Sequence, residues 1–285
     1  MKALQITQRG VALLAVLWLV AAMGLIITGI VKSVRGEIRT VALQRQAVVA
    51  NARADAAILL ALQNLQSQGK EPGAPIQAIS VAFEDLTSRV SVIPLNGRID
   101  LNNAPVVLLA DMYRYAGGLP ADAAQALAQA TVELRQVKTA KGNAHGFDAS
   151  EELLRVPTMT YNLYAKLTDL ITADIKQGSG RVNPLAAPVG VLQILTGGDV
   201  ARAVALDASR NASPGTLDTS FLKPEHIEMA SSRSVRLQVQ IDLPDGGATQ
   251  RAWTVYWGSD PRSGLPWRML GTQQSLLPLA PPDNR

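Results

Sequence analysis

The chain has 285 residues, of which 47% are hydrophobic, 18% charged and only 4% aromatic, with a net charge of +4. This is globular composition with an apolar excess carried by Ala, Leu and Val, which excludes a disordered chain. The basic excess is small and scattered, which argues against a nucleic-acid-binding face, and the absence of cysteine removes disulfides, thiolate metal sites and cysteine nucleophiles. Two histidines, His145 and His226, lie far apart, so a zinc site would need carboxylates at most of its positions.

The N-terminus carries the strongest pattern. Residues 1–10, MKALQITQRG, are short and basic. Residues 11–31 contain no charge; as a helix they would be about 31 Å long, matching a hydrocarbon core of about 30 Å. A secretory signal peptide has a shorter apolar region ending at a small-residue cleavage site. Here the run continues directly into further helical spacing, and the only abrupt junction precedes it, at Gly10–Val11.

Beyond the apolar run, Val34, Ile38, Val41, Val48, Ala52, Leu59 and Leu62 recur at steps of three, four or seven, and no proline interrupts residues 11–71. The pattern predicts one continuous helix of about 55 residues, roughly 80 Å long. Its first part, 11–31, would sit in lipid. Its second part, 32–66, would lay the stripe on a globular domain.

A basic leader ending in Arg9-Gly10, followed by an apolar helix from Val11, resembles the type IV prepilin family. The resemblance implies cleavage between Gly10 and Val11 by a prepilin peptidase and N-methylation of Val11. Members normally carry a glutamate at the fifth mature position; here that position is Ala15. An intramembrane carboxylate costs roughly 2.5–3.5 kcal/mol on insertion scales and needs a partner, in this family the amine of the neighbour above. A tip subunit has no such neighbour, and K-type minor pseudopilins of type II secretion systems are the branch that lacks the glutamate. Counting Lys and Arg around the span favours the opposite topology, since Lys32, Arg35, Arg39 and Arg45 follow it; the resemblance overrides that count.

A Gly- and Pro-bearing linker at 67–78 ends the helix. Residues 89–93 alternate as a strand, Asn96-Gly97 reads as a two-residue hairpin turn, and a second strand is expected near 98–101. Residues 97–109, GRIDLNNAPVVLL, are echoed at 180–192, GRVNPLAAPVGVL. Each reads as a short extended segment, an Asx-type turn and a proline-opened helix. The segments Leu101-Asn102-Asn103-Ala104-Pro105 and, more loosely, Asn183 to Pro188 also resemble those that open helical modules in the general secretion pathway protein K family (GspK). Phe147-Asp148 to Leu154, Val156-Pro157 and 167–172 fit the same family.

Helices are predicted at 120–137, 149–156, 160–173, 188–196 and 199–207. Residues 234–243 and 250–257 alternate around Asp245-Gly246-Gly247 and predict a hairpin, and 258–285 is expected to end in a mobile tail. The fold class is therefore α+β: a type IV pilin-like fold, with a long N-terminal transmembrane helix packed on a small antiparallel sheet and a large all-α insertion between strands. The expected divisions are a leader at 1–10, a transmembrane part at 11–31, the periplasmic part of the helix at 32–66, first strands at 67–102, a helical insertion at 103–230, and a C-terminal hairpin and tail at 231–285. An insertion of that bulk fits a filament tip, where nothing stacks above it.

No phosphate loop, zinc motif or nucleophile elbow is present, so no enzyme is expected. Asp148, Glu151 and Glu152, near Asn143, read as acids favoured by a helix N-terminus. A structural calcium is the alternative, as in some K-type relatives, but no calcium-loop spacing is present, so no metal ligand and no cofactor is assigned.

The resemblance implies a minor pseudopilin at the tip of the type II secretion pseudopilus. It would be single-pass in the bacterial inner membrane with its globular part in the periplasm, and would initiate assembly and so support export across the outer membrane. The implied partners are I-type and J-type minor pseudopilins along the stripe Val34, Ile38, Val41, Val48, Ala52, Leu59, with H-type and major pseudopilins, the prepilin peptidase and the inner membrane, but no nucleic acid. The alternatives are a minor pilin of a type IV pilus or DNA-uptake system, a membrane-anchored nucleic-acid-binding protein whose Ala-Pro-opened modules resemble helix–hairpin–helix domains, and a membrane-anchored hydrolase using His145 or His226.

Overall fold

A computed structural model describes residues 8–69, 71–83, 86–137, 146–175, 178–213, 215–243 and 247–277. Helix α1 (Gln8–Ser67) is unbroken over 60 residues. Strands β1 (Gln77–Phe83) and β2 (Leu86–Pro94) follow, then a 3₁₀ turn at Leu95–Gly97 and the two-residue strand β3 (Ile99–Asp100). A helical block comes next: α2 (Val106–Tyr115), α3 (Ala121–Gln136), a 3₁₀ turn at Ser150–Arg155, α4 (Tyr161–Leu167), strand β4 (Ile171–Thr172), α5 (Val189–Leu195) and α6 (Val200–Ala212). After a further 3₁₀ turn at Pro224–His226, the chain closes with β5 (Ser234–Asp242), β6 (Ala248–Trp257) and β7 (Trp267–Leu277).

The main sheet runs β1-β2-β5-β6-β7, with every neighbouring pair antiparallel. Strand β2 pairs with β5 across the whole helical block, so the block leaves and re-enters the sheet at adjacent strands. The architecture is α+β, with two separate hydrophobic cores. One lies between α1 and the sheet, where Ile58, Leu62 and Leu65 meet Val90, Val235, Leu237, Trp253 and Val255. The other fills the helical block, around Leu108, Leu109, Met112, Tyr113, Leu167, Val191 and Leu192.

Several expectations need correcting. Asn96-Gly97 does not close a hairpin. Gly97 ends a 3₁₀ turn, and β3 joins β4 in a parallel two-residue ladder instead of returning along β2. The glycine is needed for approach: a Cβ on Gly97 would run into the backbone and Cβ of Ala186. The block is not all helical either, because β-branched Ile171 and Thr172, read as the end of a 160–173 helix, form β4. The helix expected at 149–156 is a 3₁₀ turn. In the C-terminal region, 267–277 is an eleven-residue strand along β6 that the sequence did not predict; the expected tail at the end of 258–285 falls on 278–285, outside the described residues. The turn residues Asp245 and Gly246 lie outside the described residues, but the hairpin they were expected to join is present, with Ser234 opposite Tyr256 and Asp242 opposite Ala248.

The echo at 97–109 and 180–192 is a pair of equivalent, interlocked units. A Cβ on Gly180 would run into the carbonyl of Asn103, as one on Gly97 would into Ala186. Asn103 and Ala186 each stand six residues after the glycine of their own copy, so the two segments contact each other reciprocally. The repeat extends further than the sequence alone suggests. Arg135, at the end of α3, donates from one guanidinium nitrogen to the carbonyls of Leu101 at 3.1 Å and Ala104 at 2.8 Å. Arg210, near the end of α6, donates in the same way to Pro184 at 2.9 Å and Ala187 at 2.5 Å, the equivalent positions. Each Arg satisfies turn carbonyls that precede a proline-opened helix and would otherwise be orphaned by burial.

Candidate assembly surface

Helix α1 divides into stretches with different surroundings. From Ala50 to Leu65, the residues Ala50, Ala54, Ala57, Ile58, Ala61, Leu62 and Leu65 are buried on the sheet. Their spacing is that of one helical face, and the four alanines let the helix backbone lie close to the strands. This is not the stripe expected to dock on the domain. Val34, Ile38, Val41, Val48, Ala52 and Leu59 are exposed, Val48 by 67% and Ile38 by 63%. Taken at 100° per residue, their mean direction lies about 150° around the helix from the docked face. Of the expected contacts only Leu62 reaches the core. The chain therefore presents two apolar faces on one helix, a small-residue face filled by its own sheet and a branched-residue face that no element covers among the described residues.

Further toward the N-terminus, every side chain from Leu13 to Leu25 is exposed, including Trp18 at 73% and Ala15. Exposure on all sides of an apolar helix means that no face of it packs on the domain. Gly10 and Val11 lie within α1, but their side chains, like those of 26–33, fall outside the described set. Among the described residues no helix is long and apolar enough to cross a membrane.

The docked face is pinned by a polar clamp absent from the sequence reading. Asp55 accepts from Arg251 Nε at 2.8 Å, from a second Arg251 nitrogen at 3.3 Å, and from Trp253 Nε1 at 2.8 Å. One turn earlier, Asn51 Oδ1 accepts from the Thr249 hydroxyl at 3.5 Å. Asn51 and Asp55 are i,i+4 on the helix, and Thr249, Arg251 and Trp253 alternate along β6, so the two periodicities match rung for rung. Asp55 falls off the apolar stripe of Val34 to Leu62. At 100° per residue it lies about 100° from the centre of the docked face, at its edge and toward the branched stripe.

The acids near 150 serve the local turn. Glu152 accepts from the Asp148 backbone N–H at 2.8 Å and pairs with Arg155 at 3.1 Å. Asn143 and His145 lie outside the described residues. Among the described residues no group of three or more His, Asp or Glu side chains is placed to hold a metal ion. His226 is buried, and burial first, with Lys223 second, pushes its pKa below 6.5. The guanidinium groups of Arg135 and Arg210 point inward to carbonyls.

No protein-family model matches the chain, and no curated protein sequence matches it. Among solved structures, the chain is similar to one chain of the crystal structure of the GspK-GspI-GspJ complex from the enterotoxigenic Escherichia coli type 2 secretion system. The identity is 17% and the TM-score 0.46, over 80% of this chain and 94% of that one.

Proposed function

We propose that this chain is a K-type minor pseudopilin. Its helix is cut after Gly10, spans the inner membrane through residues 11–31, and docks its branched-residue face against sister helices at the tip of a secretion pseudopilus. The observation that carries the reading is the double character of α1. One face is filled by the chain's own sheet, while Val34, Ile38, Val41, Val48 and Leu59 stand bare along the same rod. A branched apolar stripe of that length is stable in water only at a cost, and packing it against similar helices removes it from solvent. The uncharged run before it supports the membrane anchor, and Ala15 in place of an intramembrane acid supports a position with no subunit above. The bulky block between β2 and β5 fits the same position.

The chain contains no cysteine, so single cysteines introduced at Val41 or Val48 report contacts without background. Oxidation of cells carrying Val41→Cys and matching cysteines in I- and J-type pseudopilins of the same cell is expected to give heterodimers with those subunits. Cysteines on the docked face, such as Ala57→Cys, should give none. Equal yields from both faces, or no heterodimer at any stripe position, contradict the reading.

A further inference from the structure

A cleft of about 570 Å³ opens where the helical block meets the sheet, between the Gly178-Ser179-Gly180 loop, the 228–234 segment and the ends of β6 and β7. Its charged lining is lopsided in a way the net count hides. Both carboxylates are already engaged by the chain itself. Asp100 accepts from the Asn102 backbone at 2.9 Å and from the Asn103 side chain, and Glu228 accepts from the Ser179 hydroxyl. The three guanidinium groups are not engaged to the same degree. Arg181 and Arg268 have no ion pair among the described residues, and Arg233 has only Glu71 at 3.6 Å, with both side chains more than half exposed. Tyr256 lies against two of the three: the Arg268 guanidinium is 5.7 Å from its ring centroid, and its hydroxyl first, with Glu71 second, raises the pKa of Arg233.

We propose that this cleft binds a carboxylate-rich peptide segment of a partner protein. Three guanidinium groups lining one concavity suit several carboxylates at once, since each offers paired donors in carboxylate geometry. The volume and the mixed lining, which includes Ile175 and Ala230, suit a segment of several residues better than a bare anion. The inference stands on the cleft and not on the fate of the N-terminal helix, so either can fail without the other.

The test is calorimetric titration of the full-length protein in detergent with a capped peptide alternating Glu and Ser. The controls are the Gln-Ser analogue and citrate, and each titration is run at low salt and at about 0.5 M salt, where screening is nearly complete beyond contact distance. The Glu peptide is expected to bind at low salt, to be released at high salt, and to lose about tenfold in affinity in the Arg181→Glu/Arg268→Glu variant. Ser231→Glu, at an exposed position in the wall, adds a like charge without touching the arginines and should also weaken binding. Absence of binding at low salt, equal binding of the Gln peptide, or unchanged affinity in both variants overturns the proposal. Citrate binding as tightly as the peptide also overturns it, since the ligand would then be a small carboxylate.

Discussion

Asp55 of α1 and Arg251 of β6 form a two-point ion pair, 2.8 and 3.3 Å, that is only 30% and 20% exposed and is completed by Trp253 donating to the same carboxylate. It fixes both the rotation and the axial position of a long helix on its sheet, which alanine contacts alone leave free to slide. The rotation matters because it decides which face stays bare.

Replacing Asp55 by Ala should therefore lower stability by about 1–3 kcal/mol, since a partly buried guanidinium and an indole N–H lose their acceptor together. Asp55→Asn, which keeps one acceptor oxygen for Trp253, should fall between Ala and wild type. Thermal melting of the three proteins in the same detergent checks the order.

The two faces of α1 predict opposite phenotypes. Ile58→Ala creates a cavity under the helix and should cost about 2–5 kcal/mol. Ile38→Ala removes a comparable side chain from an exposed position and should change stability by less than about 0.5 kcal/mol, while weakening association with sister subunits. Melting temperature and pull-down yield, measured on both variants, separate the roles.

The reciprocal glycine contacts predict that the helical block tolerates no side chain at either junction. Gly180 also has φ +75°, so Gly180→Ala adds backbone strain to the clash with Asn103 and should destabilise by more than about 1 kcal/mol. Gly215, at φ +92° with open space around it, is the control: Gly215→Ala carries the strain without the clash. Hydrogen exchange should show lost protection in α2 and α5 for the first variant and much less for the second.

His226 gives a pH dependence of known sign. Its folded-state pKa lies below its ordinary 6.5, so as pH falls through the window just under 6.5 the unfolded chain takes up a proton that the folded chain refuses. Stability should therefore decline across that window and level off once the folded-state pKa is passed. His226→Gln should flatten this part of the profile. A wild-type profile that rises on acidification between pH 7 and 5.5 would contradict the assignment.

The parts of the fold legible in the sequence were those where one strong period ran without competition. These were the uninterrupted helix, the alternating β5 and β6, and the proline-opened helices α2, α3 and α5. The docked face of α1 was hidden because alanine carries it. Val, Ile and Leu make a louder pattern, and here they mark the face turned away from the sheet. Strand β7 was missed because its exposed Thr272, Gln273, Gln274 and Ser275 give no apolar alternation, and pairing with β6 supplies what the side chains do not. Asn96-Gly97 misled because a sequence signal for a tight turn is the same as one for a close backbone approach, and only tertiary structure shows the Ala186 backbone against it. The Arg135 and Arg210 contacts have no short-range signature at all, spanning 31 and 23 residues to Ala104 and Ala187.

The most direct measurement is the mass of the N-terminal peptide of the protein taken from its native membrane. Removal of residues 1–10 and a methyl group on the Val11 amine is the predicted result. A chain that retains Met1, or one that begins beyond residue 31, would contradict a helix processed and held in the bilayer.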